Sequence, residues 1–94
     1  MIEGELYVLA NCPKCVFAYK GENERVILHY ACVNCHDKVR IPGIDYSIGR
    51  LSNIPTRIAN DEERSRFYVH LHESGYYYNI ENKKVIRFLT GELI

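Results

Sequence analysis

Every cysteine in the chain falls into one of two C-x-x-C pairs. These are Cys12-Pro13-Lys14-Cys15 and Cys32-Val33-Asn34-Cys35, with 16 residues between Cys15 and Cys32. A turn that brings two thiolates together offers a metal half of a tetrahedron, and a second such turn completes it. Zn²⁺ accepts four sulfurs because its filled d shell imposes no geometric preference of its own. The spacing lies in the range of zinc sites. The intervening length suits two strands joined by a tight turn, which would bring both pairs to the same end of one hairpin. Iron could bind the same four thiolates. The string Cys32-Val33-Asn34-Cys35-His36 also matches c-type haem attachment, but that use would leave Cys12 and Cys15 without a purpose. A redox-active dithiol lacks the βαβ setting it normally occupies. The expected chemistry is therefore four-thiolate metal binding.

These residues resemble the zinc ribbons, in which a β-hairpin carries a C-x-x-C knuckle at each base. The likeness covers roughly residues 6–41 and implies Cys12, Cys15, Cys32 and Cys35 as ligands of one structural Zn²⁺. Val16 and His36 stand where such knuckles often carry glycine, which eases a positive φ. The superfamily is functionally broad, so the likeness constrains the metal more than the activity. A second stretch, Thr56 to Glu62 followed by Phe67-Tyr68-Val69, resembles the acidic-tip segment of transcript-cleavage-factor zinc ribbons. That likeness would give Asp61 and Glu62 a part in holding Mg²⁺ at a polymerase active centre. Asn60 interrupts the match, and His70-Leu71-His72 stands where the next knuckle would bring cysteines. A solvated charge run over 61–64 is the plainer account.

Other chemistry-bearing residues have bland alternatives of their own. His70 and His72 would share one face of a strand and, with Glu73, could meet a second metal; without a third ligand in view, they read as histidines on an exposed β-face. Tyr68, Tyr76, Tyr77 and Tyr78 make the last third strongly aromatic. Rings of this kind can stack on bases, but tyrosine is also a good strand former and an interface anchor. No serine lies in a nucleophile elbow, and no glycine-rich loop is present to cradle phosphate. Four thiolates would also close the metal shell, leaving no position for an activated water.

The elements needed to position these residues are mostly strands. Residues 5–11 alternate Leu6, Val8 and Ala10 with Tyr7 and Leu9, and apolar character on both sides predicts a strand covered on both faces. Residues 16–20 and 25–31 predict the two arms of the ribbon around a turn at 21–24, and 37–41 another short strand. Residues 42–65 lose the alternation. Asp45 could cap a short helix through Leu51, and a turn or two of helix is expected over 56–66. Phe67, Val69 and Leu71 then alternate with Tyr68, His70 and His72, which opens a three-stranded antiparallel meander through residue 90. The fold class expected is mostly β, a small α+β domain spanning 1–94. It comprises a zinc-ribbon hairpin (1–41), a short helical insert (42–65) and a β-meander packed on the ribbon (66–94).

Composition narrows the function. Apolar residues make up 47% and charged residues 26%, ordinary globular values. A chain of 94 residues buries only about 60–65% of its unfolded surface, so a metal staple would add useful stability. No apolar run approaches a membrane span, and the first ten residues are acidic rather than basic, which predicts an intracellular protein with reduced cysteines. Twelve basic and twelve acidic residues balance, and a tetrathiolate zinc site would leave the chain slightly acidic. That disfavours strong non-specific nucleic-acid binding. The most basic window, 38–59, sets Lys38, Arg40, Arg50 and Arg57 against Asp45 alone. The expectation is a non-enzymatic, zinc-stabilised binding protein, a regulator or inhibitor of a protein of the transcription or nucleic-acid machinery. Its partner surface would use Lys38, Arg40, Arg50, Arg57, Tyr68, Tyr76 and Tyr78. The alternative is direct nucleic-acid binding through that window and the tyrosine-rich sheet.

Overall fold

The structure is a computed structural model and describes residues 1–22, 27–41, 46–47 and 55–94. The helix expected to start at Asp45, and Arg50 with it, lie outside these residues. Strand β1 (Leu6–Leu9) turns through Ala10 and Asn11 into the long β2 (Cys12–Glu22), and β3 (Ile27–Val33) returns antiparallel along β2. Register shifts on either side of Tyr19 bend this pair. β4 (Val39–Arg40) folds back on the end of β3, opposite Val33 and Cys32. β5 (Tyr46–Ser47) pairs with β3 further along, at His29 and Leu28, and β6 (Thr56–Ile58) lines the free side of β1. The sheet runs β4-β3-β2-β1-β6, all antiparallel. Strands lie within each of the ranges expected, 5–11, 16–20, 25–31 and 37–41, with residues 25 and 26 of the third, and residues 23 and 24 of the expected turn, outside the described residues.

Both faces of this sheet are apolar, as alternation along β1 requires. One face presents Leu6, Val8, Val16, Ala18, Ala31 and Val33, buried against Phe67, Leu71, Tyr78 and Val85 from the last third of the chain. The other gathers Tyr7, Leu9, Phe17, Tyr19, Ile27 and Cys32, with Cys12 and Cys15 packed at its margin. The metal-ligand candidates thus sit where the second apolar cluster reaches the sheet's end.

The last third departs from expectation. Residues 61–73 form a helix, α1 (Asp61–Glu73), rather than the first strand of a meander. Its start is chemically specified. The Asn60 side chain accepts from the Glu63 N–H at 2.9 Å, while the Glu63 carboxylate accepts from the Asn60 N–H at 2.9 Å, a reciprocal capping box. Asp61, Glu62 and Glu63 place negative charge at the positive end of the helix dipole. Phe67 and Leu71, four apart, are fully buried on one side, whereas Val69 is 55% exposed. A strand would have put all three on one face. Gly75, with φ +92°, ends the helix. Where helix was expected over 56–66, residues 56–58 are strand and α1 begins only at 61. The meander reduces to a hairpin of β7 (Tyr76–Asn79) and β8 (Lys84–Arg87), with a single bridge from Ile86 to Leu93. The class, mostly β with one helix, is as expected.

The hairpin is pinned to the N-terminal segment by close backbone approach. The Tyr78 hydroxyl donates to the Gly4 carbonyl at 2.6 Å. A Cβ on Gly4 would stand 2.4 Å from the Lys83 carbonyl oxygen, and Gly4 has φ +84°. Only glycine fits there.

Candidate metal centre

The β1–β2 turn places Cys12 at the first position of β2, and the β3–β4 turn carries Cys35. The second turn is built around Asn34. Its Oδ1 accepts from the N–H groups of His36 at 2.9 Å and Lys38 at 3.0 Å, and its N–H donates to the Lys38 carbonyl at 2.9 Å. Asp37 takes the left-handed backbone (φ +61°) needed to close so tight a turn, a conformation aspartate tolerates better than most residues. The result gathers the sulfurs of Cys12, Cys15 and Cys35 within 4.8 Å of one another. Cys12 and Cys15 are 3.3 Å apart, sulfur to sulfur. These three lie close enough to hold a metal ion, and soft thiolates favour zinc, copper(I) or iron. Cys32 is not one of the three. It sits in β3 opposite Phe17 and Arg40, buried in the apolar cluster against which Cys12 and Cys15 also pack.

The electrostatics suit a cation. Burial first, then hydrogen bonding and charge from Cys12, push the Cys15 thiol up to about 11, while the Cys35 backbone N–H pulls the other way. Burial, with the Cys15 charge added, pushes Cys32 up to about 12, opposed by the guanidinium groups of Arg40 and Arg66. Crowded sulfurs resist ionising beside one another; a bound divalent ion removes that resistance by supplying the missing positive charge.

Arg66, which in sequence is one of several cations near the tyrosines, instead reaches the cysteine turns. From α1 its Nη1 donates to the Lys14 carbonyl at 2.5 Å, and its Nη2 to the Asn34 carbonyl at 2.6 Å. Nε and Nη2 also reach Asp37 Oδ1, at 3.0 and 2.5 Å. Hydrogen bonding from Arg66 holds the Asp37 carboxyl below its ordinary range. His70, one helical turn on, approaches the same oxygen at 3.5 Å. No local motif signals this role, because the partners of Arg66 lie 29, 32 and 52 positions away.

The remaining candidates are scattered. Lys38 and Arg40 are exposed at the second turn and β4. Arg57 is exposed but forks onto Glu63, both bonds 2.8 Å. Tyr78 is buried and Tyr68 stacks on it, ring centroids 5.8 Å apart, so both rings belong to the packing between α1 and the hairpin. Tyr76 lies half-buried beneath the Arg87 guanidinium. Asp61 and Glu62 are in the first turn of a helix rather than on a loop tip. His70 and His72 share no strand face, since two positions on a helix turn them about 200° apart. His70 faces Asp37, whereas the His72 ring stands edge-on to Phe88 at 4.8 Å.

No family model, curated protein or solved structure matches the chain. Among the described residues, no helix is long and apolar enough to cross a membrane.

Proposed function

We propose that this chain is a non-enzymatic, intracellular binding protein stabilised by one structural Zn²⁺. Cys12, Cys15 and Cys35 would hold the ion, and Cys32, packed beside Cys12 and Cys15, would supply the fourth sulfur. The convergence of three sulfurs from two separate turns carries this reading. Zinc bound by four thiolates is chemically closed, so its work is to fix the sheet end rather than to activate water. The partner proposed is a protein of the transcription or nucleic-acid machinery, which the chain regulates or inhibits. Support comes from the C-terminal hairpin, where Tyr77 and Phe88 meet edge to face at 5.7 Å and Leu89 is 96% exposed. Exposed aromatic and apolar groups of this kind serve as interface anchors.

Native mass spectrometry tests the metal: one zinc per chain is expected, with the fold lost or loosened after exhaustive chelation. An unchanged fold and melting curve in the chelated protein would overturn the zinc reading. Affinity capture from the native host after nuclease treatment tests the partner. A protein retained across low to moderate salt supports the proposal, whereas binding that needs nucleic acid and falls steeply with salt would replace it with the nucleic-acid alternative.

A further inference from the structure

We propose that Arg66 is a positioning residue for the metal ligands, joining the two cysteine turns to each other and to α1 so that the sulfurs are gathered before the ion enters. The inference rests on the metal reading above and concerns how that site is built. Lys14 and Asn34 hold the same place in the two C-x-x-C pairs, each immediately before the second cysteine. Their carbonyls therefore belong to the peptide groups whose N–H groups are those of Cys15 and Cys35. One guanidinium grips both carbonyls, at 2.5 and 2.6 Å, and so relates the two peptide planes directly. Through the second plane it aims the Cys35 N–H, which faces the Cys15 sulfur.

The third contact fixes the guanidinium itself. Asp37 Oδ1 receives both Nε and Nη2, and Phe67, the next residue along α1, is fully buried in the core. The arginine is therefore held at its base by packing and at its tip by a charged hydrogen bond. Its planar fork can span two carbonyls and a carboxylate at once, which a lysine ammonium cannot do with the same geometry. The charge has the right sign as well. Four thiolates around a divalent ion leave two negative charges, and Arg66 stands on one side of that site with Arg40 opposite Cys32. Outer-shell partners of this sort orient ligands, and their loss commonly weakens metal binding by about 10–100-fold.

The test is a competition titration of Zn²⁺ against a chromophoric chelator, with Co²⁺ absorption of the saturated site as a second readout. The wild type, Arg66→Ala, Arg66→Lys, Asp37→Asn and Arg57→Ala are compared. Arg66→Ala should raise the Kd for zinc by about 10–100-fold and shift or broaden the Co²⁺ ligand-field bands at saturation. Arg66→Lys should recover part of the affinity but not the band shape. Arg57→Ala breaks another arginine ion pair, from β6 to Glu63 of the same helix, without touching a cysteine turn, so it should leave both readouts unchanged. Should Arg66→Ala fail to fold, Asp37→Asn carries the test. Asparagine keeps the left-handed turn but removes the charged anchor, and weaker zinc binding is expected. A wild-type chain that binds no metal would sink the metal reading and this inference together. Normal wild-type binding, with Kd values and Co²⁺ spectra unaltered in the Arg66 and Asp37 variants, would overturn this inference alone.

Discussion

Acidification should destabilise this protein through one histidine in the middle of the sheet. His29 lies in β3 between Tyr19 on β2 and Tyr46 on β5, and none of its surface is exposed. Burial, and then the charge of Arg40, push its pKa from 6.5 down to about 4. The unfolded chain takes up a proton near 6.5, whereas the folded chain resists until about 4. Between those values the unfolded state binds more protons, so falling pH favours unfolding. The stability tied to neutral His29 is therefore complete above 6.5, drains away as pH falls toward 4, and changes no further below. At about 1.4 kcal/mol per pH unit the whole descent removes about 3 kcal/mol, a large part of the roughly 5–15 kcal/mol that holds an ordinary domain together. Urea unfolding of the wild type and His29→Leu, stepped from neutral pH to about pH 4, measures it. The difference between the two curves cancels carboxylates and cysteines common to both proteins. It should widen by about 3 kcal/mol in favour of the leucine variant as pH drops. Two curves that stay parallel throughout would refute the reasoning.

Two substitutions probe the joints around α1 and the hairpin. Gly4→Ala would force a Cβ to within 2.4 Å of the Lys83 carbonyl at a backbone φ of +84°. A loss of about 2 kcal/mol or more is expected, seen as a melting temperature lower by about 8–16 °C. Asn60→Ala removes the helix cap and half of the capping box, and should cost about 1 kcal/mol in urea unfolding while leaving zinc stoichiometry unchanged.

The legible parts of the sequence were those with short-range causes. Two C-x-x-C pairs at hairpin spacing located the three gathered sulfurs, and two-residue alternation together with turn residues located the strands from β1 to β4. The misreading of 66–72 has a specific origin. Phe67 and Leu71 are four apart, which satisfies both a strand of period two and a helix of period 3.6, and Val69 between them tips a local reading toward strand. The deciding signal lay upstream, where Asn60 and Glu63 form a capping-box spacing ahead of the apolar residues. Tyr78 and Arg66 could not be read locally at all. One is buried by contact with Gly4, 74 positions away, and the other bridges turns 32 and 52 positions away. Their roles exist only once α1 lies across the sheet.

The placement of α1 also decides how much positive charge the surface can offer, and so bears on the proposed choice of partner. Arg57 is forked onto Glu63, and Arg66 onto Asp37 and two carbonyls. Arg64 and Lys83 converge on Glu5, Lys83 at 3.1 Å. Burial works against the charge on Glu5, but the Leu6 N–H and these two cations together hold its carboxyl below the ordinary range. Arg87 covers the Tyr76 ring. A phosphate backbone gains affinity by releasing counterions to cations that are free to meet it. Cations already paired inside the fold must first abandon a carboxylate. Among the described residues, Lys14, Lys38 and Arg40 are exposed near the cysteine turns and Lys84 on the hairpin, and any salt dependence would scale with how many of them neutralise phosphates. The same pairing imposes no such penalty on a protein partner docking against Tyr77, Phe88 and Leu89, where desolvated aromatic and aliphatic surface supplies the affinity. On this accounting the internal salt bridges that order the helix are also what weights the proposal toward a protein surface.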